Sequence, residues 1–324
     1  MGIKVLFLYP NSYGMNMLPP AIALLSAVVK KEDHQVELFD TTYYQTEFGS
    51  DSDGTKVDRL NVIPFNSSGY IPKIRETKWQ DDIKAQVDSF QPDLIAMSCT
   101  EDMWEMGAAI LDEIENYIKT NKTPVLAGGV FPTFAPEIAI EHPLINAVCV
   151  GEGENAIRTL CERIEKNESF QNITNLWVMS EDGKITRNGM SDPVDVNAMP
   201  MMDIDVFEDQ RLYRPMTGKW YKMLPVETIR GCPYKCTFCY CSSASPNSMF
   251  NKSRWVDVDV IVQDIKHTLE TYNPTYIEMI DETFTVNRNY VLDFCQAIKD
   301  EGLKFEWGAK TRIDLMDDDL VEAT

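Results

Sequence analysis

Three thiols stand at Cys232, Cys236 and Cys239 in the run Gly231-Cys232-Pro233-Tyr234-Lys235-Cys236-Thr237-Phe238-Cys239-Tyr240. The C-x3-C-x2-C spacing follows a largely apolar, strand-like segment, Leu224 to Ile229. One loop bearing three thiolates can hold three irons of a [4Fe-4S] cluster and leave the fourth without a protein ligand. Such an iron can take a substrate or cosubstrate, whereas four-cysteine ferredoxin spacings close the cluster for electron transfer. Two other readings stand beside this one. Cys241 follows two residues after Cys239, so four sulfurs could close a structural zinc site and make this a zinc-stapled binding protein. The second half would then be C-x-C, a poor match to the usual paired C-x2-C knuckles. A disulfide framework does not suit a chain that opens without a signal peptide.

With its aromatic Phe238 just before the third cysteine, the run resembles the signature of the radical S-adenosylmethionine (SAM) superfamily. The resemblance implies that SAM chelates the open iron through its amino and carboxylate groups. It also implies that one electron from the cluster cleaves SAM to a 5′-deoxyadenosyl radical. On that reading Cys232, Cys236 and Cys239 are the metal ligands and Phe238 belongs to the cofactor site.

The elements around the loop form two domains, as 324 residues lead one to expect. From Lys4 to about Glu165, buried-strand runs alternate with helical ones. Strands are expected at Lys4 to Tyr9, Gln35 to Phe39, Asp93 to Ser98, Pro124 to Ala127 and Ala147 to Val150. Helices are expected at Pro19 to Lys31, Ile83 to Ser89, Met106 to Lys119 and Asn155 to Glu165. This order suits a flavodoxin-like α/β domain over 1–166, with ligands at the strands' carboxyl ends. Leu176 to Met179 and Lys184 to Thr186, around Asp182-Gly183, read as a β-hairpin inside a linker spanning 167–223. The tract from Asp40 to Lys78 reads as a long polar loop, functional or disordered. Beyond 224, a helix at Val258 to Thr271, a strand at Tyr276 to Ile280, a helix at Tyr290 to Glu301 and a strand at Lys304 to Gly308 suggest a βα barrel over 224–324.

Strand ends in the first domain carry Ser98-Cys99-Thr100, Gly128-Gly129 and Gly151-Glu152-Gly153-Glu154. Paired glycines let a backbone approach a large ligand, and the hydroxyls of Ser98 and Thr100 can bond it or merely form a turn. Together with Pro19-Pro20-Ala21-Ile22-Ala23-Leu24-Leu25, and placed ahead of the cysteine loop, these stretches resemble the cobalamin-binding domain of B12-dependent radical SAM proteins. That resemblance, which runs from Lys4 to Asp319, implies that Ser98, Thr100, Gly128 and Gly129 surround the dimethylbenzimidazole tail of base-off cobalamin. The stretch where many cobalamin proteins have D-x-H-x-x-G is Tyr9-Pro10-Asn11-Ser12-Tyr13-Gly14-Met15-Asn16, with no histidine. Only His34, His142 and His267 occur, so cobalt without a protein imidazole is expected.

Asp281-Glu282 follows the second barrel strand, and the resemblance implies contacts from these carboxylates to SAM's ammonium group. Arg312, after the third strand, would balance the SAM carboxylate. Methyl transfer to an unactivated carbon or phosphorus centre is the implied reaction, by way of hydrogen abstraction and methylcobalamin. Its catalytic residues and its small-molecule or peptide substrate are not readable. The chain stops at Thr324 with about half of the family's βα units. The expectations are therefore a truncated, non-catalytic remnant, or one half of a split enzyme whose partner chain supplies the rest. An electron donor is a further implied partner. The balance of 51 acidic against 30 basic residues, a net charge of −21, argues against nucleic acid and anionic membranes. No apolar run approaches the roughly 18 to 20 residues of a membrane span, which gives a cytoplasmic expectation. Cys99, Cys149, Cys161 and Cys295 sit singly in apolar segments, as small core residues do.

Overall fold

The computed structural model describes residues 2–46, 72–243 and 249–324. The chain divides into two compact units, residues 1–194 with 200–211, and 195–199 with 212–324.

The first unit is built on β1 (Lys4–Tyr9), α1 (Pro20–Lys31), β2 (Gln35–Asp40), α2 (Trp79–Phe90), β3 (Leu94–Ser98), α3 (Trp104–Glu113), α4 (Glu115–Asn121), β4 (Val125–Gly128), α5 (Val130–Phe134), α6 (Pro136–Ile140), β5 (Ala147–Cys149) and α7 (Glu154–Glu165). β1 to β5 pair in parallel in the order β2-β1-β3-β4-β5, the flavodoxin-like arrangement expected. The apolar runs of β1, β3, β4 and β5 are buried on both faces, as a helix-covered parallel sheet requires, whereas the edge strand β2 buries only Phe39. The expected helix at 106–119 is broken at Ile114 (φ −108°, ψ 16°) into α3 and α4.

Of residues 167–223, expected as a linker, 167–194 and 200–211 belong to the first unit and 195–199 and 212–223 to the second. β6 (Leu176–Met179) pairs antiparallel with β5, and β7 (Ile185–Arg187) with β6, so the hairpin extends the sheet to seven strands. The edge of a parallel sheet presents unpaired backbone groups, and the hairpin satisfies them at β5. The polar tract after β2 falls mostly at 47–71, outside the described residues.

In the second unit β8 (Tyr213–Met216) and β9 (Lys219–Val226) form a hairpin absent from the sequence-based expectations, closed by Thr217 (φ 48°) and Gly218 (φ 79°). Two successive positive φ values belong to the two-residue turn that matches strand twist. β9 ends at Val226, and Ile229–Arg230 (β10) turns away to pair with Arg254–Trp255 (β11). α9 (Val258–Tyr272), β12 (Tyr276–Met279), α10 (Arg288–Asp300), β13 (Trp307–Ala309) and α11 (Asp318–Ala323) complete it. β9, β12 and β13 are parallel, two βα crossovers of a barrel-type sheet, in the order β13-β12-β9-β8. The last strand starts three residues later than expected, at Trp307. Ile277, Met279, Phe284, Phe294 and Leu320 form the core between sheet and helices. No helix among the described residues is long and apolar enough to cross a membrane.

Candidate functional site

At the carboxyl end of β9 the chain enters the cysteine loop through Gly231, whose φ is +90°. A Cβ there would lie 2.5 Å from the Lys252 carbonyl oxygen, so only glycine fits. The loop base is held by Cys232 N donating to the Phe250 carbonyl (2.9 Å) and by Ser253 Oγ donating to the Gly231 carbonyl (3.2 Å). Within the loop, Cys239 N donates to the Cys236 carbonyl at 3.0 Å. Cys232 is buried with its Sγ 3.6 Å from Thr283 Oγ1, and Cys236 and Cys239 are half-buried. Phe238 stands 92 % exposed, a large apolar face offered to solvent. The Arg312 guanidinium lies 4.2 Å from the Tyr234 ring centroid and its Nη1 is 3.9 Å from Cys236 Sγ. Arg312 also pairs through two nitrogens with Asp314 at 2.7 and 3.0 Å, which already answers much of its charge.

The two acidic residues after β12 divide. Asp281 is 1 % exposed and points inward, accepting from Thr228 N (2.8 Å), Thr228 Oγ1 (2.6 Å) and Ile229 N (2.9 Å). Both its oxygens accept bonds from the β9–β10 bend, so its side chain holds that bend in place. Glu282 is half-buried beside the loop and accepts from Gly231 N (3.3 Å) and Tyr240 OH (3.4 Å), long bonds that leave acceptor capacity.

A tetrahedral zinc site needs sulfurs within about 2.3 Å of one ion. Among the described residues no three cysteine, histidine or carboxylate groups converge that way. Cys241 is buried, with its thiol pushed up to about 12 by burial. A cubane spreads its ligands over several irons, so three cysteines on one loop suit a cluster by donor type.

The cleft in the first unit differs in kind. Order β2-β1-β3 makes the junction of β1 and β3 the switch point, where flanking loops diverge and ligands bind. Ser98 ends β3, and the exposed Thr100 hydroxyl donates to the Asp102 carboxylate. Gly129 has φ +96°, and a Cβ on it would meet Cys99 O at 2.7 Å and Cys99 N at 2.8 Å. This glycine is explained by the chain's own packing. Gly128 is not: a Cβ there would make only ordinary contact, 3.7 Å from Cys149 Cβ. Space over Gly128 therefore fits a bound group.

The loop after β1, notable in the sequence only for its lack of histidine, is the other wall. Asn16 Oδ1 is buried there without a hydrogen-bond partner, and Met15 and Met17 are 45 and 47 % exposed. An orphaned acceptor and exposed thioethers also fit a large, mostly apolar ligand. No histidine stands at these strand ends. His34 Nδ1 accepts from Ile3 N (3.1 Å) at the sheet's opposite end, His142 lies between α6 and β5, and His267 is on α9. Cys99, Cys149, Cys161 and Cys295 are buried, and burial pushes the first three thiols up to about 12.

Sequence reasoning also misses Arg214, Tyr221, Tyr276 and Glu278 on the sheet face opposite the helices of the second unit. Arg214 is ion-paired with Glu278, and Tyr221 packs on Tyr276 at 5.3 Å. The alternation Tyr276, Glu278 against Ile277, Met279 is the available signal.

Two family models match the chain, the B12 binding domain over residues 65–161 and the Radical SAM superfamily over 226–322. An uncharacterized methyltransferase of Pyrococcus horikoshii is 30 % identical over 250 residues, 75 % of this chain and 51 % of that protein. A 4′-phospho-dehydrooxetanocin synthase of Priestia megaterium is 26 % identical, over 78 % of this chain and 36 % of its own length. The structure of the cobalamin-dependent SAM radical enzyme OxsB, with aqua-cobalamin and SAM bound, superposes with a TM-score of 0.68 at 22 % identity, covering 94 % of this chain and 38 % of OxsB. The radical SAM methyltransferase TsrM from Kitasatospora setae gives 0.65 at 16 %, covering 92 % and 51 %. These likenesses show a common fold. The chain spans about half or less of the length of these relatives.

Proposed function

We propose that this chain, matched by the B12 binding domain model over residues 65–161 and by the Radical SAM superfamily model over 226–322, serves a cobalamin-dependent radical SAM enzyme that methylates an unactivated carbon or phosphorus centre. The cysteine loop carries this reading: three cysteines on a loop whose base accepts no residue but glycine, beside a cationic Arg312. When bound, the cluster supplies one electron for cleavage of SAM, and cobalamin supplies the methyl carrier.

Cys232, Cys236 and Cys239 would hold the cluster, and the buried position of Cys232 would shield one edge of it from water. Glu282 would accept from the ammonium of SAM. Arg312 lies beside the Cys236 sulfur, and with its charge shared by Asp314 it would make a weak partner for the SAM carboxylate. Phe238 offers its exposed ring to the cofactor, a planar contact that needs no further burial by the chain. In the first unit Ser98, Thr100, Gly128 and Gly129 would line the nucleotide tail of cobalamin. With no imidazole at the strand ends, the tail base would be displaced without a histidine replacing it. An electron paramagnetic resonance spectrum of Co(II) with nitrogen superhyperfine splitting would sink that last point.

The test is anaerobic reconstitution with iron, sulfide and cobalamin, followed by electron paramagnetic resonance of the reduced protein with and without SAM. A [4Fe-4S] signal that changes on adding SAM is expected, together with loss of the cluster and of SAM cleavage in Cys236→Ala. Retained cleavage in that variant refutes the proposal.

A further inference from the structure

Among the described residues Arg211 is the largest fully buried side chain, 2 % exposed, and it lies outside the segment matched as a B12 binding domain. A buried guanidinium is costly unless its donors are answered, and each partner here leads to one place. Nη1 donates to the Met15 carbonyl at 3.2 Å and Nη2 to the Met17 carbonyl at 3.1 Å, while Nε lies 2.8 Å from Asp40 Oδ2 as an ion pair without hydrogen-bond geometry. The ring centroids of Tyr9 and Tyr43 each lie 6.0 Å from the guanidinium carbon.

Asp40 continues the chain of bonds by accepting from Thr42 N at 2.9 Å. Thr42 Oγ1 accepts from Asn11 Nδ2 (2.7 Å), which also donates to the Met15 carbonyl (2.9 Å). Thr41 Oγ1 accepts from Asn11 N and donates to its carbonyl, both at 2.8 Å. The loop between β1 and α1 is thus gripped by its backbone carbonyls and by Asn11. Its carbonyls at 15 and 17 point inward to Arg211, and the Met15 and Met17 side chains remain half-exposed at the β1/β3 switch point, with the unpartnered Asn16 Oδ1 between them.

We infer that Arg211 is a positioning residue for cobalamin: from a distant part of the chain it locks the β1–α1 loop so that Met15, Asn16 and Met17 form one wall of the corrin cleft. The inference rests on the cobalamin reading of the first unit. The loop has no histidine to fix it through cobalt, and the Arg211–Asp40 pair fixes it from behind instead. Preorganising a wall in the free protein lowers the ordering cost that binding must otherwise meet. Lysine keeps the charge but cannot donate to both carbonyls in fixed directions while facing Asp40, so it does not replace arginine here.

Hydroxocobalamin titration followed by absorbance, on the full chain with its cluster reconstituted, tests this. Arg211→Lys is expected to bind at least tenfold more weakly, with unchanged iron content, an unchanged cluster response to SAM and a wild-type circular dichroism spectrum at the titration temperature. Wild-type affinity in folded Arg211→Lys overturns the inference alone. A wild-type protein that takes up no cobalamin overturns the underlying reading as well. If Arg211→Lys does not fold, Asn16→Ala and Met15→Ser carry the test, because the Arg211 contacts run through backbone carbonyls and survive both changes. Weakened cobalamin binding in these variants supports the wall, and unchanged binding in both overturns it.

Discussion

The loops at the strand ends of the two units are held in opposite ways. In the first unit the loop after β1 is tied by Asn11, Thr41 and Arg211, and the turn after β4 is packed against Cys99, so the cleft is shaped by protein alone. In the second the cysteine loop is anchored at its base on Phe250 and Ser253, while Phe238 stands in solvent. The contrast follows from the proposed ligands. A cluster makes three strong bonds and can organise its own loop, as metal sites commonly do. Cobalamin without a protein ligand to cobalt binds through surface contacts, which reward walls built in advance.

The largest break in this comparison is expected from Gly231→Ala. The new Cβ would lie 2.5 Å from a backbone oxygen at φ +90°, and neither neighbour can yield cheaply. Strain of roughly 1–3 kcal/mol at the loop base should abolish stable cluster loading, read as iron and sulfide content, and leave cobalamin uptake intact. Loss of both cofactors together would mean that the units do not hold their ligands independently.

The paired glycines of the first unit sharpen the contrast at a smaller scale. Gly129→Ala meets backbone atoms at 2.7 and 2.8 Å and should cost stability and cobalamin affinity alike. Gly128→Ala meets only ordinary contacts, so its thermal midpoint should stay at wild type while cobalamin affinity falls severalfold. If Gly128→Ala binds cobalamin normally, the ligand does not lie over that residue.

Local signals carry most of the fold and half of the site. The five parallel strands and the longer helices around them are legible because continuous apolar runs and turn residues mark each one, and the cysteine spacing marks its own loop; the five-residue helices α5 and α6 are too short to show a helical period. The β8–β9 hairpin is hidden because Pro215 and Pro225 break the strand pattern and Thr217-Gly218 is an uncommon turn pair. The sequence places hairpin 176–187 correctly but cannot say that it would join a distant strand edge. Arg211 is illegible for the same reason. Nothing local distinguishes it from a surface arginine, since its partners lie at residues 15, 17 and 40. Glu282 and Asp281 read as an equal pair, and only tertiary contacts to 228 and 229 separate them.

Asp281 gives the smallest effect and the finest test, because it is a strand-end group of the second unit held as firmly as those of the first. Burial pushes its carboxyl up to about 7, against the bonds from Thr228 and Ile229 that pull it down, with the Glu227 charge adding to the rise. In the unfolded chain the same group titrates near about 3.9. The folded state therefore binds this proton more tightly, so the contribution to stability is complete below about pH 4 and is lost as pH rises toward about 7, above which it is constant. The side chain introduced by Asp281→Asn cannot titrate, and it presents one acceptor oxygen where two accept from three donors in the wild type. Urea midpoints of wild type and Asp281→Asn, compared at about pH 5 and about pH 8, cancel the other carboxylates, which titrate equally in both proteins. Asp281→Asn should be the less stable at the lower pH, by an amount that narrows at the higher. A gap that is constant or widens with pH would mean that Asp281 is ionised throughout, held as a carboxylate by its three donors, and that burial is not the dominant influence on it.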